Sequence, residues 1–178
     1  MLEITKKIMR NKVKEDDTFI NCYIAYDTKQ IYSITVYNND DCVDFKTDYL
    51  KVLNQYPIYI NLEIDEYMYD DIIKLCVKNK ISFEENVDKY NNVHFELIIK
   101  NDREFHTIYD YFTISATNNL TNMYSFKENL IKKNWLSEND PQLKYYAMLS
   151  EGDILIGLGN DSSILEIWTT DRKIFDFF

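Results

Sequence analysis

The sequence predicts an α+β fold: one domain over residues 1–178, built on a mostly antiparallel sheet with helices packed on one face. Three observations lead there. Runs of alternating β-branched and aromatic residues recur along the chain, the period-2 mark of strands. Two segments, Asp65–Asn79 and the stretch from about Asp102 to Phe112, instead carry apolar residues at helical spacing. With 3 glycines and 2 prolines, no Pro/Gly/Ser linker divides the chain, so strands and helices belong together, with sub-lobes 1–100 and 101–178 as the fallback division.

Taken in order, residues 18–38 hold two alternating runs, Phe19–Tyr26 and Ile31–Tyr37, joined by the turn-forming Asp27–Gln30; they read as a hairpin. Asn38–Asp41 is a second turn, and Cys42–Phe45 would extend the meander. Tyr49, Leu50 and Leu53 suggest a short helix within Thr47–Gln55, and Ile58–Ile64 is strand-like. The strongest helix is Asp65–Asn79. Met68, Ile72, Leu75 and Cys76 fall on one face, widened by Tyr69, Ile73 and Val77. Asp65 can cap its start, acids crowd its first turns and lysines its end, each the sign that the helix dipole favours.

Val93–Lys100 is a strand, followed by an amphipathic helix carrying Phe105, Ile108, Tyr109 and Phe112. Ser125-Phe-Lys-Glu128 matches a capping box and would open a helix over Phe126–Lys133 that buries Phe126, Leu130 and Ile131. The C-terminus reads as a three-strand meander: Ile154–Leu158, Ile164–Trp168 and Ile174–Phe177. Gly152 and Gly159 read as turn residues and Gly157 as a bulge.

Composition excludes several function classes. At 46% hydrophobic and 15% aromatic residues the chain is not disordered. Its 178 residues suffice to bury roughly 70% of the unfolded surface without a metal or disulfide staple. Thirty acidic against 20 basic residues leave a net charge of −10. That argues against a nucleic-acid backbone, which calls for a basic face, and against an anionic membrane surface. Cys22, Cys42 and Cys76 are odd in number and widely spaced, which fits buried thiols in a reducing compartment. The N-terminal residues lack the apolar core of a signal peptide, and no apolar run approaches the ~20 residues of a membrane span. The expectation is a soluble cytoplasmic protein.

No motif names a reaction, so catalysis and a cofactor are not expected. His94 lies in a strand, on the side opposite Phe95, and His106 on the polar side of a helix; neither belongs to a metal-binding or H-E-x-x-H pattern. No G-x-S-x-G elbow is present, although a triad assembled from distant residues leaves no sequence mark. Gly152–Gly159 flanks an apolar strand rather than a helix N-terminus, so it does not read as a phosphate loop. The acidic clusters are Asp40-Asp41, Glu63–Asp71 and Glu84–Asp88. Asp70 and Asp71 stand at helical spacing from Lys74, as on an ordinary solvated face. Tyr67, Tyr69 and Tyr90 lie among the same carboxylates, and aromatic contact area beside acids suits a surface for a basic partner. The candidate partner-binding residues are Asp65, Glu66, Tyr67, Asp70 and Asp71.

The C-terminal third adds one comparison. Met123–Glu128, then Tyr146–Leu149 before Gly152–Gly157, then Ile164–Trp168 and Asp171–Phe175, stand in an order that resembles the end of SUKH-superfamily proteins. Many of that superfamily are immunity proteins against bacterial toxins. The resemblance covers about residues 123–178, implies a toxin-neutralising role and assigns no functional residue. The leading expectation is therefore an acidic inhibitor that meets a basic toxin or nuclease by direct contact. A phage-type anti-defence protein that mimics DNA charge is its close variant. A small enzyme with an unrecognised site and an accessory subunit of a larger assembly are the alternatives from other classes.

Overall fold

The computed structural model describes residues 2–10, 20, 22–38, 44–88, 91–135, 143–159 and 162–178. Along them run β1 (Leu2–Met9), β2 (Cys22–Tyr26), β3 (Ile31–Asn38), a π-helical turn (Lys46–Leu50) leading into α1 (Lys51–Leu53), β4 (Ile58–Ile64) and a 3-10 turn (Glu66–Met68) leading into α2 (Tyr69–Asn79). They continue with β5 (Ser82–Val87), β6 (Val93–Ile99), α3 (Asp102–Thr117), β7 (Asn122–Ser125), β8 (Ile131–Trp135), β9 (Leu143–Leu149), β10 (Ile154–Gly159), β11 (Ile164–Thr169) and α4 (Arg172–Phe177). Phe19, the turn and strand expected over 39–43, Cys42 and Tyr90 lie outside the described residues.

Eight strands form one antiparallel sheet in the order β1-β3-β11-β10-β7-β4-β6-β5. Strands from the last third of the chain thus sit between β3 and β4, so both halves build the same sheet. Three more form a second sheet, β2-β9-β8, with β2 parallel to β9. Strand alternation sends Ile58, Ile60, Leu62 and Ile64 of β4, and Phe95, Leu97 and Ile99 of β6, into a core shared with Met68 of the 3-10 turn, with Ile72 and Cys76 of α2 and with Phe105, Ile108 and Phe112 of α3. The helices therefore cover one face, as the sequence predicts. The other face, which the sequence reading leaves open, packs Met123, Leu155 and Trp168 against Cys22, Ile24, Tyr145 and Ala147 of the small sheet. Burial in the first core pushes the Cys76 thiol up to about 11 and keeps it protonated.

Several expectations are corrected. β2 and β3 are strands but not a hairpin: β2 pairs with β9, whereas β3 lies between β1 and β11. Alternation identifies a strand without naming its partner. Ile31–Val36 is buried throughout, as suits a strand covered on both faces, and Asp27–Gln30 carries the chain from one layer to the other. Nor does Ser125 open a helix. Its residue belongs to β7, its hydroxyl donates to the Lys127 carbonyl at 2.9 Å, and Asn129 at φ 58° turns the chain into β8. The reciprocal cap stands instead at α3, where the Asn101 side chain accepts from the Glu104 N–H at 3.0 Å and the Glu104 carboxylate accepts from the Lys100 N–H at 2.8 Å.

The predicted last strand is helix α4, capped by Asp171, whose carboxylate accepts from the Lys173 N–H at 2.8 Å. Neither strand of the expected meander had a free edge for it: β10 is paired on both sides by β7 and β11, and β11 by β10 and β3. Ile174, Phe175 and Phe178 pack onto the helix-side core instead. Gly157 is not a bulge, since it pairs in regular register with Met123 and Glu166. Val77 does not widen the α2 stripe; it is 64% exposed.

Candidate functional site

Helix α2 presents the acidic surface that the sequence singles out. Its apolar stripe is anchored, with Met68, Ile72 and Cys76 buried and Leu75 half-buried. The opposite side carries Glu66, Asp70 and Asp71 in solvent, and Tyr67 is 72% exposed, pointing away from Met68. Asp71 stands 3.7 Å from Lys74, an exposed pair worth little in water. Asp65 behaves differently. Its carboxylate accepts from the Asn118 side-chain amide at the end of α3 rather than capping α2, and the same amide donates to the Tyr67 hydroxyl at 3.3 Å. Four of the five predicted residues are thus open to a partner, and Asp65 is half-buried and engaged.

The neighbouring edge strand β5 continues this acidity. Glu85 accepts from the Tyr69 hydroxyl of α2 at 2.7 Å, which raises the Tyr69 pKa. Glu84, the next residue along the strand, points to the other side of the sheet by alternation. There it borders a cleft of about 250 Å³. The small sheet covers the middle of the large one and reaches β6 through Tyr145 and Lys133, which leaves the β5 side and the Tyr59–Ile98 end of the β4-β6-β5 wing to form this cleft. Tyr59, Asn61, Glu96 and Ile98 line the wing's surface, and the loop from Lys127 to Leu130, between β7 and β8, lines the cleft beside them.

Charge in the cleft is unevenly matched. Lys127 is held by Asp153, with Nζ 2.9 Å from the carboxylate, and Lys133 pairs with Glu96. Glu84 and Glu128 have no ion-pair partner among the described residues. Glu84 also sits directly across from Glu96 in the β5-β6 register, an arrangement of like charges that opposes pairing unless a cation lies nearby. Asn61 is 5% exposed, and its side-chain oxygen is buried with no hydrogen-bond partner among the described residues.

At the inner side of the wing lies a closed polar cluster. His94 Nδ1 is 2.7 Å from the Tyr145 hydroxyl, and Nε2 is 3.6 Å from Asp88, whose carboxylate also accepts from Asn92. Burial is the main cause that lowers the His94 pKa, against the pull of Glu63 and Asp88; burial also holds the Tyr145 hydroxyl well above its usual range. The His94 and Asp88 side chains are only 3% and 2% exposed, so the cluster ties the two sheets together without facing a ligand from solvent. His106, by contrast, sits exposed beside Asp102 at 3.3 Å. Among the described residues, no group of three or more His, Cys, Asp or Glu is arranged to hold a metal ion, and no helix is long and apolar enough to cross a membrane.

The α2 face is legible in the sequence because helical periodicity separates its apolar and acidic sides. The cleft is not, because its residues come from strands and a loop far apart in sequence. The unbalanced Glu84-Glu85 pair was the available signal. The architecture defines an α+β protein of two stacked sheets and one helical layer. No family model, curated protein or solved structure matches this chain.

Proposed function

We propose that this protein is an acidic binding protein that neutralises a basic protein partner, a toxin of the nuclease kind, by covering the partner's cationic surface in the cytoplasm. One observation carries the reading: α2 and the 3-10 turn leading into it commit one face to the core through Met68, Ile72 and Cys76 and leave Glu66, Tyr67, Asp70 and Asp71 exposed on the other. Such a surface is held rigidly before contact, which limits the ordering cost of association. Tyr67 adds contact area with few rotatable bonds, and the carboxylates steer a basic partner by long-range attraction. The net charge of −10 favours the same encounter. The resemblance of the C-terminal third to immunity proteins supports the choice of a toxin as partner.

The test is binding kinetics against the cationic partner recovered with the protein from its source cell. Wild type and the Asp70→Lys/Asp71→Lys double variant are compared at two salt concentrations. Both substitutions are on the solvent side, so folding should persist. Wild-type association should slow as salt rises, because screening shortens to about 8 Å at physiological ionic strength, and the double variant should associate more slowly at low salt. Equal rates in all four cases would remove this face from the interface.

A further inference from the structure

We propose that the cleft on the β4-β6-β5 wing is a receptor for one arginine side chain of the basic partner, a second contact separate from α2. This rests on the reading of the protein as a binder of basic proteins and specifies what such a partner must present.

Two independent features converge on a guanidinium. The first is charge: Lys127 and Lys133 are already engaged by Asp153 and Glu96, which leaves Glu84 and Glu128 at the cleft as uncompensated carboxylates. The second is the Asn61 side-chain oxygen, an unpartnered acceptor in a residue 95% buried (5% exposed) that lines the same cleft. A buried acceptor without a donor carries a desolvation cost that a ligand N–H removes. An ammonium could meet one carboxylate as a point charge. A guanidinium has five N–H donors in a rigid plane, and so can meet the Asn61 oxygen and a carboxylate together. Its methylene stem would lie along Tyr59, Ile98 and Leu130, the apolar part of the lining. At about 250 Å³ the cleft falls below the ~300–1,000 Å³ of sites for drug-sized ligands, a size suited to a single side chain.

The test needs no partner. N-acetyl-argininamide is titrated into the isotope-labelled protein and amide resonances are followed by NMR, with N-acetyl-citrullinamide as the neutral isostere and N-acetyl-lysinamide as the point-charge control. Saturable shifts centred on Asn61, Glu84 and Glu96 are expected with argininamide, and much weaker ones with the two controls. Glu84→Gln, at an exposed position that keeps the fold, should weaken argininamide binding about threefold, as for a solvent-exposed ion pair. Asn61→Leu should weaken it about tenfold, as for a hydrogen bond to a charged group. No saturable shifts, shifts of equal affinity with either control, or full affinity in the Glu84→Gln variant would overturn the assignment. The two proposals fail separately. Argininamide in the cleft with partner association unchanged by the α2 substitutions removes the α2 face alone, and the converse removes the cleft alone.

Discussion

His94 Nδ1 and the Tyr145 hydroxyl meet at 2.7 Å between the two sheets, joining β6 of the large sheet to β9, the middle strand of the small one. The carboxylate of Asp88 faces the other ring nitrogen at 3.6 Å and favours a proton there. Nδ1 is then an acceptor, and the Tyr145 hydroxyl, held protonated by burial, donates to it.

This arrangement predicts a pH dependence of stability. Burial lowers the His94 pKa below the ~6.5 of an unfolded histidine, so the unfolded chain binds more protons in that window. The contribution is complete above about pH 6.5 and is lost as pH falls through the lowered folded value. Urea unfolding at pH 7.5 and pH 5 should show lower stability at pH 5, and His94→Gln should reduce the difference. Tyr145→Phe should cost about 1–3 kcal/mol at pH 7.5, since it leaves a buried nitrogen without its donor. A Tyr145→Phe protein as stable as wild type would show that the contact contributes nothing.

The α2 stripe gives a second prediction. Ile72 is fully buried between α2 and the large sheet. Ile72→Asp places an unpaired charge there at a cost of several kcal/mol, comparable to a whole domain's stability of roughly 5–15. The variant should be unfolded or lose most of its thermal stability by circular dichroism. An unchanged melting temperature would contradict the packing of α2.

The same stripe illustrates which parts of the fold could be read from the sequence. Local periodicity marked α2, α3, β4, β6, β10 and β11, because each has one face or both committed to a core. Partner choice was not local. Phe19–Tyr26 and Ile31–Tyr37 look like two arms of a hairpin, yet β2 and β3, the strands within them, join strands more than a hundred residues away, β9 and β11. Ser125–Glu128 satisfies the capping pattern, but β4 and β10 claim Ser125 for a sheet. Of the candidate binding surface, the acidic side of α2 was visible. The cleft was not, because Asn61, Glu84, Glu96 and Leu130 meet only once three strands and a loop are in place.

Gly157 supplies a third prediction. A Cβ there would lie 2.4 Å from the Ile20 side chain and 2.8 Å from the Asn122 carbonyl oxygen. The first is a methyl on the branched Cβ of a buried side chain, with that Cβ itself 3.1 Å away, and the second is backbone inside a paired strand, so neither yields cheaply. Gly157→Ala should therefore destabilise by about 1–3 kcal/mol, as overpacking does in a close-packed interior. Ile20→Ala combined with it should show favourable coupling in a double-mutant cycle, since it removes one of the two obstacles. Strict additivity would mean that the Ile20 contact is not the source of the cost.

The end of α2 gives the last prediction. The helix closes with the Ile81 N–H bonded to the Cys76 carbonyl at 2.9 Å and the Lys80 N–H to the Val77 carbonyl at 3.2 Å, the Schellman arrangement that normally places glycine at the left-handed position. Here that position is Lys80, at φ 56°. Three of the other four left-handed non-glycine residues among those described are Asn91, Asn119 and Asn129, a type that tolerates this conformation through local hydrogen bonds. Lysine has no such compensation and bears a cost of roughly 1–2 kcal/mol. Lys80→Gly removes it, while the added freedom of glycine in the unfolded chain returns about 0.4–1 kcal/mol. The net effect should be a gain of about 0.5–1 kcal/mol, seen as a higher urea midpoint at unchanged slope. Lys80→Ala separates backbone from side chain. It keeps the Cβ and the strain, so its midpoint should stay close to wild type. A gain in Lys80→Ala equal to that in Lys80→Gly would assign the cost to the lysine side chain rather than to the left-handed turn.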